Sequence, residues 1–120
     1  MLPAASRMRR SAEFELTVRR GRRSRRALLT GYLLVREDGA ARTPLVGFVV
    51  SKAVGNAVVR NKVRRRLRSV VRGYLPALPG GSLLVVRAHP QAAAARQADL
   101  AAELDLVMGR LMRRQVGVLR

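Results

Sequence analysis

The segment AVVRNKVRRRLR, residues 57–68, constrains the fold more than any other part of the chain. It places six cationic side chains between positions 60 and 68 and keeps an apolar residue at every third or fourth position. At about 100° per residue, one side of a helix would collect the apolar residues Val59, Val63, Leu67, Val70 and Tyr74. The segment therefore predicts an amphipathic helix with one buried face and a wide cationic face.

The cationic face of this helix has no acidic partner in the sequence. Between Val50 and His89 there is no Asp or Glu, so cations four residues apart, such as Arg60 and Arg64, repel each other. A charge run is usually a solvated helix face, but such faces normally mix the two signs. A surface that binds backbone phosphates explains the run better, because each phosphate contact releases counterions and converts the repulsion into affinity.

The composition also indicates a polyanionic partner. The 120 residues include 25 basic and 7 acidic ones, a net charge of +18, which repels itself unless a polyanion is near. The chain has no cysteine, so disulfides and thiolate metal sites are excluded. It also has no apolar run of signal-peptide or membrane-span length. We expect one cytoplasmic domain over residues 1–120, with a flexible basic arm at about 1–10 and no membrane partner.

The remaining segments predict one further helix before the strands and one after them. Ser11 is the predicted N-cap of a short helix that ends at Gly21, with Phe14 and Val18 on one face. Residues 27–36 and 44–51 read as strands around the turn sequence EDGAART, and we expect them to pair as a hairpin. SLLVVRA, residues 82–88, predicts a third strand, and residues 89–114 predict a long helix.

Side chains suited to catalysis are few and scattered. The carboxylates form no paired motif of metal-ligand spacing, and no nucleophile-and-base pattern or phosphate-binding glycine loop is present. We predict no catalytic residue and no metal ligand, and we interpret His89 as a turn residue. Asn56 is the predicted N-cap of the basic helix, whose N-terminus is also a possible anion site.

Four aromatic residues divide into two groups. Phe48 and Tyr74 follow the apolar pattern and are predicted to belong to the core. Phe14 and Tyr32 are less clearly core residues, because an aromatic ring beside a basic groove can stack on an unpaired base. Asn61 is a poor helix former within the basic face, and its amide can both donate to and accept from RNA.

Residues 46–68, VGFVVSKAVGNA followed by VVRNKVRRRLR, resemble the signature segment of the bacterial ribonuclease P protein subunit. The RRSAEF helix, the strand with Tyr32, and GSLLVVRA with its following helix also occur in that family's order. The resemblance implies an α+β sandwich of order αβββαβα, with a mixed sheet and a left-handed crossover, where the general rule favours a right-handed one. It also implies a fourth strand near GRRSRR, which the residues alone do not predict.

The resemblance further implies a function. The family's RNA subunit is the catalyst that removes the 5′ leader of precursor tRNA, with magnesium or other divalent ions held mainly by RNA. By position, RNA-binding roles fall on Lys52, Arg60, Asn61, Lys62, Arg64, Arg65 and Arg68. A leader cleft would be lined or bordered by Phe14, Val18, Tyr32, Phe48 and Ser51. The family often has a second aromatic residue where this chain has Val18, so stacking on the leader is expected either to be weaker here or to rest on Phe14 and Tyr32 alone.

Two other functions are compatible with the charge and the size. A ribosomal or other structural RNA-binding protein would fit both, and only the ordered signature argues against it. A nuclease acting unaided would need a carboxylate cluster that the sequence lacks. The expected partners are therefore the ribonuclease P RNA subunit and precursor tRNA, and no protein partner is predicted.

Overall fold

A four-stranded mixed sheet and three helices make up the fold in a computed structural model, which describes residues 2–37 and 42–118, with side chains up to Met112. The helices and strands along the chain are α1 Ser11–Arg20, β1 Arg22–Arg25, β2 Leu29–Val35, β3 Leu45–Val49, α2 Ala57–Val71, β4 Ser82–Ala88 and α3 Gln97–Val118. The predicted order αβββαβα is confirmed. None of the helices in the described ranges is long and apolar enough to cross a membrane.

The strand order in the sheet is β1-β2-β4-β3, so β4 lies between β2 and β3. β4 is parallel to β3, with Phe48 opposite Val86, and antiparallel to β2, with Tyr32 opposite Val85. The predicted hairpin between β2 and β3 is therefore wrong. β4 takes the position between β2 and β3 because its near-continuous apolar run suits a central strand with both faces covered. The left-handedness of the crossover from β3 through α2 to β4 stays a prediction.

β1 is the fourth strand implied near GRRSRR, and its presence there is confirmed. It pairs antiparallel with β2, where Ser24 lies opposite Gly31. Ser24 is buried, whereas Arg23 and Arg25 are exposed. A short strand rich in Arg is typical of a protected sheet edge, and its composition hides it from a search for apolar alternation.

The two faces of the sheet have separate cores. α2 and α3 cover one face, where Leu84 and Val86 pack with Val63 and Leu67. α1 lies over the other face, where Leu83 and Val85 pack with Tyr32. Of the predicted apolar side of α2, Val63 and Leu67 are buried, while Val59, Val70 and Tyr74 are half-buried. The helix also buries Val71 and ends there, and a 3-10 helix, Arg72–Ala77, carries Tyr74.

The first residues of the chain lie along the free edge of β3. Leu2 is 1% exposed and belongs to the main core. Arg7 forms a parallel bridge with Val46, and the backbone N–H of Met8 donates to the Val46 carbonyl at 2.8 Å. The segment expected to be a flexible arm is thus packed against the sheet over residues 2–8.

The helix ends follow local hydrogen bonding. Asn56 is confirmed as the N-cap of α2, since its Oδ1 accepts from the Val59 N–H at 3.0 Å. Ser11 is not the N-cap of α1; Arg10 holds that position, without a side-chain hydrogen bond. The long helix predicted over 89–114 is split, because a 3-10 helix, Pro90–Ala94, precedes α3. Asp99 Oδ2 accepts from the Arg96 N–H at 3.0 Å, which favours the start of α3 at Gln97.

Candidate nucleic-acid interface

The exposed side of α2 forms a shallow cationic groove. Its lining includes Asn61, Arg64, Arg65 and Arg68. Asn61 Oδ1 accepts from Arg64 Nη1 at 3.1 Å, so the amide holds one guanidinium in place along the helix. The structure therefore brings four of the predicted RNA-binding residues together on one surface.

The other three predicted RNA-binding residues lie around the start of α2. Arg60 is half-buried and donates from Nε to the Gly55 carbonyl at 3.2 Å. Lys52, in the turn before the helix, and Lys62 are exposed. The turn requires Gly55, since its φ is +157° and an added Cβ would approach the Val59 side chain to 2.9 Å.

Arg66 belongs to the structure of the domain and not to the free cationic face. Its Nη1 donates to the Ala95 carbonyl at 2.7 Å, which ties α2 to the segment before α3. The sequence pattern, which predicts one wide cationic face, does not distinguish Arg66 from Arg65. Only the packing of the segment before α3 against α2 distinguishes the two arginines.

The α2 cations are not neutralised by acids within the described parts of the chain. The three ion pairs found there join Arg26 to Glu103, Arg36 to Glu13 and Arg96 to Asp99. None of them involves α2. The positive potential of this surface is therefore available to an external polyanion.

A second feature, a cleft of about 460 Å³, lies between α1 and the sheet. Apolar and aromatic side chains supplied by α1, β2, β3 and β4 line it, namely Phe14, Val18, Tyr32, Val49 and Val85. Charged side chains complete the lining, with Glu15 and Arg19 from α1 and Arg87 from β4. An apolar floor beside cations suits the bases and phosphates of a single strand.

The exposed fraction of each cleft side chain determines how much of it a ligand can contact. Tyr32 is 7% exposed and belongs to the packed floor, whereas Val18 is 43% exposed on the helix. Phe14 is half-buried, and its ring lies on β3 at Gly47, where an added Cβ would come within 2.4 Å of Cε1 and Cζ. The glycine therefore provides the space that the Phe14 ring occupies.

Two residues predicted for the cleft do not line it. Phe48 packs on the main core, because alternation along β3 turns it to the opposite face from Val49. Ser51 is exposed in the turn before α2, where its carbonyl accepts from the Val54 N–H. Val49, Val85, Arg19 and Arg87 were missed. The two valines share the face of Tyr32, because Val85 pairs with both Tyr32 and Gly47, and Val49 lies two residues from Gly47. Alternation within a strand does not reveal this register, so no local sequence signal identifies them.

His89 follows β4 and is hydrogen-bonded, as expected of a structural residue. Its Nε2 lies 2.8 Å from Thr30 Oγ1. Burial and the nearby Arg25 and Arg87 lower the pKa of the imidazole below its ordinary value of 6.5. Within residues 2–37 and 42–118, no three His, Asp or Glu side chains are grouped as a metal site would require.

Comparisons with known proteins point to one family. A family model described as Ribonuclease P matches residues 2–112. The ribonuclease P protein component of Nocardioides sp. is 53% identical over 105 residues, which cover 88% of this chain and 90% of that protein. The corresponding protein of Thermobifida fusca is 52% identical over 110 residues, covering 88% and 75%.

Solved structures of the same kind share the fold. The RNase P protein of Staphylococcus aureus aligns with a TM-score of 0.77 at 22% identity, over 87% of this chain and 93% of that one. The RNase P protein of Thermotoga maritima aligns with a TM-score of 0.70 at 21% identity, over 89% and 96%.

Proposed function

This chain belongs to the ribonuclease P protein family, and we propose that it binds both the catalytic RNA subunit and the 5′ leader of precursor tRNA. In this role it supports removal of the leader without supplying catalytic groups, and it works in the cytoplasm without a further protein partner. The alternative of a ribosomal protein is set aside, because the family match extends over residues 2–112.

The RNA subunit is assigned to α2. Arg64, Arg65 and Arg68 share one groove without an acidic neighbour in it, and Asn61 adds a group that can donate and accept. Guanidinium groups bind phosphate oxygens through two parallel hydrogen bonds. This assignment agrees with the ribonucleoprotein that the family forms.

The leader is assigned to the cleft between α1 and the sheet, and we name this cleft the leader cleft. One observation carries this assignment: the apolar cleft, with cations in its lining, has room for unpaired bases. Phe14 of this cleft also lines a smaller pocket with Arg64 and Arg68 of α2. The cleft assigned to the leader and the groove assigned to the RNA subunit are therefore adjacent. Such an arrangement is required if precursor tRNA contacts both the protein and the RNA subunit.

The chemistry is assigned to the RNA subunit, which would also hold magnesium or other divalent ions. The described residues offer no grouped carboxylates for a metal, and this supports the assignment. Asn61 and Arg64 would orient RNA phosphates near such ions. Their contribution is to position the RNA.

The test uses RNA-free protein and a precursor tRNA at low magnesium concentration. We expect no cleavage by the protein alone, and cleavage at the mature 5′ end once the cognate RNA subunit is added. Omitting the protein at the same magnesium concentration is the control. Site-specific, metal-dependent cleavage by the RNA-free protein would show that the assignment of the chemistry is wrong.

A further inference from the structure

A pocket of about 260 Å³ lies at the free edge of β3 and differs in its walls from the leader cleft. We name it the edge pocket. The N-terminal segment contributes Arg7 and Arg9, and α2 contributes Arg64 and Arg68. Phe14 and Phe48 supply aromatic surface between them. Arg7 and Arg9 have no role in the function proposed above.

The charge of the edge pocket is suited to a phosphate. Four arginine residues line it, and none of them takes part in an ion pair with another described residue. The side chain of Arg7 donates from Nε to the Leu2 carbonyl at 3.2 Å, which fixes that guanidinium at the pocket wall. Such an arrangement repels itself when empty and is relieved by an anion with several acceptor oxygens.

The aromatic lining makes a nucleotide a better ligand than a free anion. Phe14 reaches the pocket from α1, with its ring fixed over Gly47. Phe48, which does not line the leader cleft, borders this pocket from β3. A ring beside guanidinium groups suits a base attached to a phosphate.

We propose that the edge pocket binds one nucleotide of the leader, at the point where the strand passes from the cleft across β3 to α2. The phosphate would be held by Arg7, Arg9, Arg64 and Arg68, and the base would lie against Phe14 or Phe48. The proposal rests on the function proposed above. It adds the N-terminal segment as a wall of the substrate site.

The test measures, in the assembled holoenzyme, the affinity for precursor tRNA relative to mature tRNA. Arg9→Ala carries the test, because Arg9 is exposed and makes no hydrogen bond within the described residues. We expect about a tenfold loss of preference for the precursor, the size typical of one charge-assisted hydrogen bond. Arg10→Ala is the matched control, since Arg10 is the exposed neighbour outside the pocket, and it should keep the preference.

Arg7→Gln is the second variant, accompanied by a thermal melt because Arg7 also holds the Leu2 carbonyl. In either variant, an equal loss of affinity for precursor and mature tRNA, or weaker binding of the RNA subunit alone, would assign the pocket to the RNA subunit and overturn the proposal. An unchanged preference for precursor over mature tRNA in Arg9→Ala would also overturn the proposal. If the unmodified holoenzyme showed no preference for the precursor, the proposed leader cleft itself would be wrong.

Discussion

Phe14 is the residue on which the leader cleft most depends. Its ring lies on Gly47 and borders both the cleft and the edge pocket. Tyr32, the other aromatic candidate for stacking, is buried in the floor. The stacking surface of the cleft is therefore mainly one ring, whose position is set by a glycine on the facing strand.

Gly47→Ala is expected to weaken leader binding by displacing this ring. An added Cβ would lie 2.4 Å from two ring atoms, so the ring must move. We expect a loss of about 1 kcal/mol or more in precursor binding, within the range for one base stack, with mature tRNA bound as before. Gly73→Ala is the control, because its Cβ would meet nothing within 4 Å. Equal precursor affinity in both variants would contradict this account of the ring.

Val18→Phe is expected to strengthen leader binding. Val18 is 43% exposed in the cleft, one turn from Phe14, so a second ring there has space and a neighbour. The gain should be about 1 kcal/mol for precursor tRNA, the lower end of the range for stacking on one base. Leu106→Phe on α3, where the side chain is 52% exposed, is the matched control. A similar gain in both variants would indicate a nonspecific hydrophobic effect.

Helix α2 combines a structural face and the proposed RNA-binding face within consecutive positions. Leu67 is buried, Arg66 donates to the Ala95 carbonyl, and Arg65 is exposed in the cationic groove. Adjacent arginines thus have different roles. The difference arises because α3 and the segment before it pack against one flank of the helix only.

Arg65→Ala and Arg66→Ala should separate these two roles. Arg65→Ala is expected to weaken RNA binding and to reduce the salt slope by about 0.7–0.9 for one lost phosphate contact, with unchanged stability. Arg66→Ala should cost about 1 kcal/mol of unfolding free energy, because the Ala95 carbonyl loses its donor. Salt-dependent binding and thermal melts measure the two effects. Reversed results would mean that the helix is rotated from its observed orientation.

The elements differ in how far the sequence could predict them. The apolar periodicity of α2 and the apolar run of β4 identified both, because burial imposes those patterns directly. The edge strand β1 carries Arg at three of its four positions, so no periodicity marks it. The pairing of β2 with β4, and the facing of Phe48 away from the cleft, depend on long-range strand order, which local patterns do not contain. Arg7 and Arg64 were missed as a set for a similar reason, because Arg7 is positioned by its bridge to Val46, which is distant in sequence.

The whole molecule carries a net charge of +18, with three ion pairs in its described part. The cations of α2, of the N-terminal segment and of β1 are held on one small folded body. Their mutual repulsion opposes the compact state, and the packed cores on the two faces of the sheet offset it. Stability should therefore depend on anions in solution.

Added phosphate is expected to raise the melting temperature more than sodium chloride of equal ionic strength. Both salts screen the repulsion, but phosphate can also occupy guanidinium sites that exist only in the folded protein. We expect a gain of about 1 kcal/mol, or roughly 3–6 °C for a domain of this size. Arg64→Ala combined with Arg68→Ala should reduce the difference between the salts. No difference in the unmodified protein would mean that these cations do not form a preorganised anion site.

The central position of β4 has a consequence for how the chain folds during synthesis. β2 and β3 are not neighbours; both pair with β4, residues 82–88, which is the last of the four strands to be made. Until then, the edges of β2 and β3 that β4 will occupy expose unpaired N–H and C=O groups, and β3 has no partner strand. The sheet is complete only once β4 lies between β2 and β3, after the residues of the basic helix have been made. The sheet thus forms through contacts distant in sequence, which slow folding relative to local pairing.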